Sequence, residues 1–462
     1  MPIAELVKYI NRLPVLVGLG MLLLCNFSAL AAEPDFHVGE ETDISRNTVH
    51  PSVFPVAKIG VDLKNDTQDP NDEVDVDAEF RMSVAHPKAF TLSAPNAFWG
   101  EKDSSTENPL RLSFGRRLIG WSSMDEMWGL GNIEPRDAWD QLRPGEQGLT
   151  GLFGYTETHY LNFHFFFSYL MLPELTPNVV IENNQFVPDH PQSISTAPQT
   201  FLLFNQSTPI GYQISLPPLA NILFRPSVLF SVDTKKNVPI YAKFIYGNLP
   251  LNYFPIALQG KLFLPSDGVP VVLTPILLSH QIYNGEVAYF IDDRTSLGVN
   301  VLYDQPQSIN LPTDVNTYTP LTNSVTWSPW LKYSWPRAHL LLSQLWSRGG
   351  LDSDVGPQAN PSGSIVSSHI LYRNASQVAL QYLFWPESVR FATVQFKYLH
   401  EYSIEGNWFA LDFNYHFQRN LSVLLGGDFL SAKLSASPDK GAEFLSDLRT
   451  LDRIRIGAQY GF

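Results

Sequence analysis

Side chains in the C-terminal third of the chain alternate between apolar and polar with a period of two, and this alternation constrains the fold more than any other feature. The segments that show it most clearly are 391–399, 408–417, 421–429 and 453–462. In the last of them, RIRIGAQYGF, Ile454 and Ile456 fall on one side and Arg453 and Arg455 on the other. Successive side chains of a β-strand point to opposite faces, so each segment is predicted to be a strand with one apolar and one polar face.

Composition separates two fold classes that share this pattern. A soluble β-sandwich also alternates, but it buries mainly aliphatic rows against a second sheet. Here aromatic residues make up 13% of the chain and charged residues only 16%, whereas soluble proteins average about 25% charged residues. No stretch after residue 31 approaches the 18 apolar residues of a membrane helix. The composition therefore favours strands that face lipid on alternate residues, and such strands must close because lipid offers no partner to an open edge.

The number of strands follows from the turn residues that punctuate the chain. Its 35 prolines and 29 glycines separate short runs at intervals of about 10–15 residues. Roughly twenty candidate strands result, four of which cover 199–206, 209–217, 253–264 and 269–280. We therefore predict an all-β fold, a single transmembrane antiparallel β-barrel over residues 73–462. About 16–20 strands are expected, with 18 as the best value, because bacterial barrels have even strand numbers.

The N-terminal residues are expected to lie outside this barrel. Residues 1–31 have the pattern of a cleaved secretory signal peptide, with an apolar run from Val15 to Cys25 and an A-x-A site at 29–31. The chain has one cysteine, so the exported protein would contain neither a disulfide nor a thiolate metal site. Residues 32–72 lack clean alternation and are predicted to be a periplasmic segment, either a tether or a small plug.

Charge excludes one class of partner. The chain has 45 acidic and 31 basic residues, a balance that argues against nucleic acid. No cofactor or metal is predicted, since the loop at Asp352 and Asp354 lacks the remaining ligands of a calcium site. The expected partners are outer-membrane lipids, lipopolysaccharide and small solutes.

Residues 72–84, DEVDVDAEFRMSV, carry an acidic row on one face of a predicted strand. Asp75, Asp77 and Glu79 share one parity there. Like charges spaced about 6.6–6.8 Å apart along a strand repel one another and require water. A water-filled lumen would provide it, and a carboxylate lining favours cations. The alternative is a periplasmic amphipathic strand with a solvated face.

Residues 110–149 combine a strand with a charged and aromatic loop. In the strand, Arg111 and Arg117 have the polar parity and are predicted to face the lumen, because an arginine facing mid-bilayer lipid costs about 2–4 kcal/mol. The loop, 122–148, contains Asp125, Glu126, Arg136 and Asp137. Two arrangements remain open from sequence: the loop folds inward and constricts a pore, or it lies outside and its charges pair with one another or with lipid head groups.

Two stretches resemble known outer-membrane families. FGRRLIGWSSMDEMWGLGNIEPRDAWDQL resembles the G-R-Q-x-x-x-W-G…N-P-x-D stretch of large Gram-negative porin-like families that include alginate-exporter-like channels. Positions Gly115, Arg116, Trp121, Pro135 and Asp137 match, while Arg117, Ser122 and Glu134 depart from the pattern. This resemblance implies a monomeric, wide passive channel. The terminal Tyr460 and Phe462 resemble the C-terminal signal of outer-membrane barrels, which implies recognition by the barrel-assembly machinery.

The sequence contains no motif of a hydrolase. G-x-S-x-G and H-E-x-x-H are both absent, so no enzyme is predicted. The expected function is a porin-like channel in the outer membrane for passive diffusion of small hydrophilic or amphipathic solutes, with a preference for cations. One alternative is a structural or adhesive barrel with a filled lumen. Another is a barrel hydrolase, which would require a Ser or Asp hydrogen-bonded to a histidine at the membrane face.

Overall fold

The computed structural model describes most of the chain after residue 34. The described ranges are 35–45, 52–66, 72–84, 90–101, 110–174, 179–182, 184–188, 200–203, 206–235, 239–260, 269–308, 321–351, 371–386, 388–418, 420–433, 444–449 and 451–461. The expected signal peptide and Phe462 lie outside these residues.

An antiparallel sheet of 18 strands dominates the structure. The strands are β1 (Asp35–Ser45), β2 (Ser52–Asp66), β3 (Asp72–Ser83), β4 (Phe90–Glu101), β5 (Leu110–Arg117), β6 (Leu149–Glu157), β7 (Leu161–Leu170), β8 (Phe224–Thr234), β9 (Ile240–Pro250), β10 (Ser279–Phe290), β11 (Thr295–Pro306), β12 (Leu321–Trp335), β13 (Ala338–Leu351), β14 (Asn374–Phe384), β15 (Phe391–Glu401), β16 (Gly406–Gln418), β17 (Leu421–Ser431) and β18 (Arg453–Gly461). Each pairs with its sequence neighbours, and β18 pairs with β1 from Arg453 opposite Ser45 to Gly461 opposite His37. The sheet is thus a closed barrel, and the predicted fold class and strand number are confirmed.

The N-terminal boundary differs from the prediction. Residues 35–45 and 52–66 are not a periplasmic segment but form β1 and β2, which are full strands of the barrel. Alternation on β2 is hard to see in the sequence because its inward face carries the apolar Phe54 and Val56. Both are buried against Trp139, which belongs to a loop inside the barrel.

The two ends of the barrel carry connections of very different length. At the end that holds the start of β1 and the end of β18, the connections have between two and eight residues. At the opposite end they include 118–148, 171–223 and 251–278. The predicted strands 199–206, 209–217, 253–264 and 269–280 fall in the last two connections. There they form a separate four-stranded sheet of Thr200–Leu203, Gln206–Ile214, Ile256–Gly260 and Val269–Pro275.

Helix is scarce in the described residues. Three short helices are present: α1 (Ser123–Trp128), α2 (Leu219–Leu223) and α3 (Phe444–Leu448). None of the helices in this part of the chain is long and apolar enough to cross a membrane.

The outer face of the barrel has an apolar band between aromatic residues. Val299, Leu411 and Phe413 are among the exposed apolar side chains of the band. Towards the long-loop end, Tyr283 packs between Tyr246 and Tyr303 on the neighbouring strands at centroid distances of 5.2 and 6.0 Å. The pairs at the short-turn end are Tyr333–Trp335, Tyr382–Phe384 and Tyr415–Phe417. Such a band, with aromatic girdles on both sides, is the surface of a transmembrane barrel.

Candidate functional site

The connection between β5 and β6, residues 118–148, lies inside the barrel, and we call it the lumen loop. Trp128 Nε1 donates a hydrogen bond to Ser328 Oγ on β12 at 3.0 Å. Asn284 on β10 donates to Ser122 Oγ at 3.2 Å, and Gln377 on β14 donates to the Met127 carbonyl at 3.0 Å. These three wall residues point inward from well-separated strands. Of the two arrangements considered from the sequence, the loop therefore adopts the inward one.

Internal hydrogen bonds fold the lumen loop into a compact unit. Ser122 caps α1, and Gly129 ends it with a φ of 62°, a conformation that glycine adopts without strain. The Asp125 carboxylate accepts hydrogen bonds from Asn132 Nδ2 at 3.0 Å and from the Ile133 N–H at 2.8 Å. The predicted pore residue Asp125 thus holds the loop together instead of facing the lumen.

Glu134 joins the start of the loop to its middle. Its carboxylate accepts hydrogen bonds from the backbone N–H groups of Ile119 at 2.9 Å, Gly120 at 3.3 Å and Trp121 at 3.1 Å. In the sequence, Glu134 is visible only as a departure from a family pattern. Its role depends on three consecutive backbone donors that no motif reveals.

Apolar packing fixes the loop against the wall. Trp121, Met124 and Trp128 are fully buried, and they belong to one cluster with inward-facing strand residues. The wall members of this cluster include Phe153, Ile245, Ile282 and Leu345. Removing apolar area from water stabilises such contacts by roughly 25 cal/mol per Å². The inward apolar residues of these strands are thus explained by the loop they contact.

An ion-pair network ties the loop to the strands that close the barrel. We call Asp140, Arg143, Asp412, Asp428, Arg453 and Arg455 the anchor network. Arg143 pairs with Asp412 and with Asp428, the latter at 2.9 Å. Arg453 Nη2 donates to both oxygens of Asp140 at 2.7 and 2.8 Å. The network joins the loop to β16, β17 and β18.

Asp428 is the centre of the anchor network. Its side chain has 0% exposure and accepts hydrogen bonds from Arg143, from Arg453 Nε at 2.8 Å and from Trp408 Nε1 at 3.1 Å. Arg455 extends the network to Glu41 on β1 at 3.3 Å. The inward arginines of the terminal strand therefore have partners on the loop and on both neighbouring strands.

A second anchor lies on a different part of the wall. Arg81 on β3 donates to Asp137 Oδ2 at 2.9 Å, and Asp137 is only 1% exposed. The predicted pore residue Asp137 is therefore a buried attachment point. With the anchor network, it holds the loop against one continuous stretch of wall that runs from β16 through β18 and β1 to β3.

A cavity of about 490 Å³ remains between the lumen loop and the wall formed by β12–β16. We call it the passage. Its lining mixes charges of both signs with aromatic and amide groups, and includes Glu126, Arg136, Tyr372, Lys332, Gln395 and Lys397. A lining of this kind suits a solute that has both polar and apolar parts.

Two lysines give the passage wall a local positive charge. Lys397 Nζ lies 4.8 Å from the Trp408 ring centroid, and Lys332 Nζ lies 5.0 Å from that of Trp330. Neither lysine is in an ion pair with any described residue. Arg136, by contrast, is neutralised by Glu174 at 2.9 Å.

The acidic row predicted on β3 faces inward but is interleaved with cations. Asp75, Asp77 and Glu79 have inward parity in the pairing of β3 with β2. Glu79 pairs with Arg81 and lies 3.6 Å from His37 Nε2. The row is therefore not an open ring of carboxylates.

The two predicted arginines of β5 occupy different levels of the barrel. Arg111 pairs with Glu157 at 3.1 Å near the short-turn end, away from the lumen loop. Arg117 adjoins the loop, where it lies 4.7 Å from the Phe98 ring centroid and donates to Ser113 at 3.1 Å. Among the predicted site residues, only Glu126 and Arg136 line the passage.

Carboxyl groups of the loop are crowded in a water-poor setting. Burial raises the pKa of Asp125 to about 6 and that of Glu134 to about 8. Burial, followed by the nearby Glu126 and Asp125 carboxylates, raises the pKa of Glu146 to about 7. These carboxyl groups therefore hold protons more strongly than free side chains do.

Three histidine pairs bear on the hydrolase alternative. His164 Nε2 lies 3.6 Å from Asp233 Oδ1. His280 Nδ1 lies 2.8 Å from Asp304 Oδ1, but His280 Nε2, where a nucleophile would bind, has no hydrogen-bond partner among the described residues. His339 Nδ1 lies 3.0 Å from Ser334 Oγ, and these residues are cross-strand neighbours of β12 and β13. Within the described ranges, none of these histidines is hydrogen-bonded to both a nucleophile and an orienting carboxylate. No three potential ligands in those ranges converge on a metal site.

Comparison with known proteins finds similarity in structure alone. No family model matches the chain, and no curated protein matches its sequence. A BenF-like porin from Pseudomonas fluorescens Pf-5 is 10% identical with a TM-score of 0.48, over 94% of this chain and 99% of that one. OccAB1 of Acinetobacter baumannii is 10% identical with a TM-score of 0.47, over 93% and 96%. OccK2 of Pseudomonas aeruginosa is 8% identical with a TM-score of 0.47, over 94% and 98%. At these identities and scores the resemblance carries no functional argument for this chain.

Proposed function

We propose that the protein is a porin-like channel of a Gram-negative outer membrane, through which small hydrophilic or amphipathic solutes diffuse passively. The observation that carries this proposal is the lumen loop, which narrows a closed transmembrane barrel and leaves a lined passage beside it. The long connections would face the cell exterior and the short turns the periplasm, as in other barrels of this membrane. Lipids and lipopolysaccharide would surround the apolar band.

The two anchors make the loop a fixed obstruction. Arg81 on β3 holds Asp137, and β17 and β18 hold Arg143 and Asp140, so both anchors fix the loop to the same side of the barrel. A solute would therefore pass on the β12–β16 side, where the passage selects by size and by the groups that line it. Diffusion of this kind needs no energy coupling.

A preference for cations remains part of the proposal. The chain has a net charge of −14, Glu126 lines the passage, and the carboxylates of β3 face the lumen. The two passage lysines act in the opposite direction, so the balance between them and the carboxylates would set the selectivity.

Recognition by the barrel-assembly machinery is proposed from the last strand. Tyr460 lies on the outward face of β18 with 48% exposure, where a receptor strand could contact it. Phe462 is outside the described residues and remains a predicted part of the signal.

A liposome swelling assay with uncharged sugars of increasing size tests the channel directly. We expect monosaccharides to enter faster than larger sugars, because the passage is narrow. The matched variant replaces residues 123–146 with a short Gly-Ser linker and should admit the larger sugars. A folded wild-type barrel that admits no sugar would reject the channel and favour a structural role with a filled lumen.

A further inference from the structure

The outer wall of β13–β17 carries a row of polar side chains on a surface that otherwise meets acyl chains with apolar residues. Each member lies opposite the next on the neighbouring strand, and we call the five residues the outer polar row: Gln344, Ser376, His400, Asn407 and Ser431. They have the parity of the exposed apolar residues of the same strands, such as Leu342 on β13 and Phe429 on β17. The row therefore faces outward, away from the lumen.

The outer polar row rises towards the long-loop end of the barrel. Gln344 is close to the middle of β13, whereas Ser431 is the last residue of β17. Trp346, two residues after Gln344, stacks on Trp327 of β12 at a centroid distance of 4.1 Å. With the long connections outside the cell, the row lies in the outer leaflet, at the aromatic girdle and just below it.

Hydrogen bonds join neighbouring members of the row. Ser376 Oγ donates to Gln344 Oε1, and Asn407 Nδ2 donates to Ser431 Oγ at 3.2 Å. His400 Nδ1 lies 2.8 Å from the amide oxygen of Asn407 and donates to it. Nε2 of the neutral ring is then an acceptor, and it has no hydrogen-bond partner among the described residues. An acceptor that faces hydrocarbon without a partner is unfavourable, so a hydroxyl group of the surrounding lipid would stabilise this arrangement.

Cationic side chains border the row on its long-loop side. Arg348 follows Gln344 by four residues on β13, is exposed, and forms no ion pair with any described residue. Lys433 follows Ser431 by two residues and pairs with Glu405 at 2.6 Å, where both side chains are exposed. Arg348 is thus available to an anionic group, and its guanidinium matches the geometry of a phosphate.

An apolar row lies directly below the polar one, towards the short-turn end. Its members also lie opposite one another and are Leu342, Val378, Tyr398, Phe409 and Phe429. The Phe409 ring contacts the Phe429 ring at a centroid distance of 6.1 Å. Four strand spacings make each row roughly 19 Å long, which is wider than a two-chain phospholipid. From the outside inward, the wall thus presents a cation, hydrogen-bonding groups and a broad apolar surface.

The wall of β10 and β11 has no such row. Its outward residues at mid-strand are Gly285, Val287, Val299 and Val301. The polar groups of β13–β17 are therefore a local feature of one side of the barrel and not a general property of its outer face.

We infer that the outer wall of β13–β17 is a binding site for a lipopolysaccharide molecule. Its phosphorylated sugar head group would meet Arg348 and the outer polar row, and its acyl chains would lie on the apolar row below. The order of cation, hydrogen-bonding groups and apolar surface on the wall matches the order of phosphate, sugar and acyl chains in this lipid. The inference goes beyond the proposed channel, since it uses the outer face alone and requires no conductance.

Native mass spectrometry of the refolded protein in detergent, titrated with a lipopolysaccharide of truncated core, tests the inference. We expect a single molecule to bind the wild type several-fold more tightly than phosphatidylglycerol does. The same lipopolysaccharide without its phosphates should also bind several-fold more weakly. Arg348→Gln should remove most of the difference between the two forms, whereas Arg294→Gln, which changes an exposed arginine at the short-turn end, should behave as wild type.

A second variant tests the polar row itself. Gln344→Leu with Ser376→Ala makes this part of the wall apolar, which lipid accommodates, so circular dichroism should show an unchanged barrel. We expect its affinity for lipopolysaccharide to fall several-fold. The matched control is Gln281→Leu, which removes an exposed outward amide from β10 and should leave the affinity unchanged.

Three results would overturn the inference. They are equal affinities for lipopolysaccharide and phosphatidylglycerol, a row variant that binds as tightly as the wild type, and a protein dimer in place of the lipid adduct, which would assign this wall to a second copy of the chain. Failure to bind lipopolysaccharide in a protein that conducts rejects only this inference, whereas a protein that binds it without conducting rejects only the channel.

Discussion

Single buried charges determine how the lumen loop is held. Asp428 accepts hydrogen bonds from two arginines and a tryptophan with no exposure to solvent. Removing one partner from a buried ion pair leaves an uncompensated charge, which typically costs about 3–5 kcal/mol. The stability of the loop is therefore expected to depend strongly on this one residue.

Asp428→Asn should lower the free energy of unfolding by about 3 kcal/mol, because the arginines lose a buried counter-charge. Urea titration in lipid vesicles, followed by circular dichroism, measures the change. Glu405→Gln is the matched control, since an exposed pair contributes at most about 1 kcal/mol. Equal unfolding midpoints for the two variants would contradict a structural role for the anchor network.

Glu146 should make stability depend on pH. Its pKa is raised to about 7 by burial and neighbouring carboxylates, whereas free glutamate titrates near 4.3. The folded chain thus holds a proton that the unfolded chain releases, so this contribution is fully present below about pH 4 and is lost as pH rises through about 7. In the Glu146→Gln variant, the loss of stability between pH 5 and pH 8 should be smaller than in the wild type, and unfolding midpoints at the two pH values measure it. A variant whose stability depends on pH as strongly as that of the wild type would contradict this assignment.

At the scale of elements, sequence patterns located strands better than they located contacts. The alternation at 408–417 and 453–462 corresponds to β16 and β18, because their outward faces meet lipid and their inward faces stay polar. β2 was missed because part of its inward face is apolar and contacts the loop. β1 was missed because the polar residues Glu40 and Thr42 interrupt its outward apolar row. Strands in the long connections were assigned to the barrel, since local pattern does not reveal which sheet a strand joins.

The candidate site was only partly predictable for the same reason. The residues around 122–148 could be recognised as a charged and aromatic loop. Their partners lie far away in the sequence, as in the pairing of Asp140 with Arg453. One signal was available: two inward arginines on a terminal strand need acidic partners, and Asp412 and Asp428 occupy the polar face of neighbouring strands. Which carboxylate meets which arginine required the folded barrel.

Replacing residues 123–146 with a short flexible linker should leave the barrel closed and enlarge the pore. Strand pairing does not depend on this segment, whereas the loop fills much of the lumen. We expect single-channel conductance to rise several-fold, with circular dichroism unchanged in strand content. A folded variant with wild-type conductance would show that the loop does not limit flow.

At the scale of the whole molecule, the exposed apolar band implies that lipid is the solvent of the outer face. Val299 lies on that band at mid-strand of β11, and Thr295 begins the same strand with the same parity. Val299→Arg should therefore destabilise the folded barrel by about 2–4 kcal/mol, and Thr295→Arg by only about 0–1 kcal/mol, because the cost depends on depth. Urea unfolding in vesicles measures both, and equal costs would argue against a membrane-spanning band.

The channel itself is tested most directly by the conductance of the refolded wild-type protein in a planar bilayer. We expect discrete, stable conductance steps, because a cavity beside the β12–β16 wall, next to a loop fixed by its anchors, would serve as a permanently open pore. A barrel that is folded and inserted by circular dichroism and protease protection, yet passes no ions at any applied potential, would contradict it.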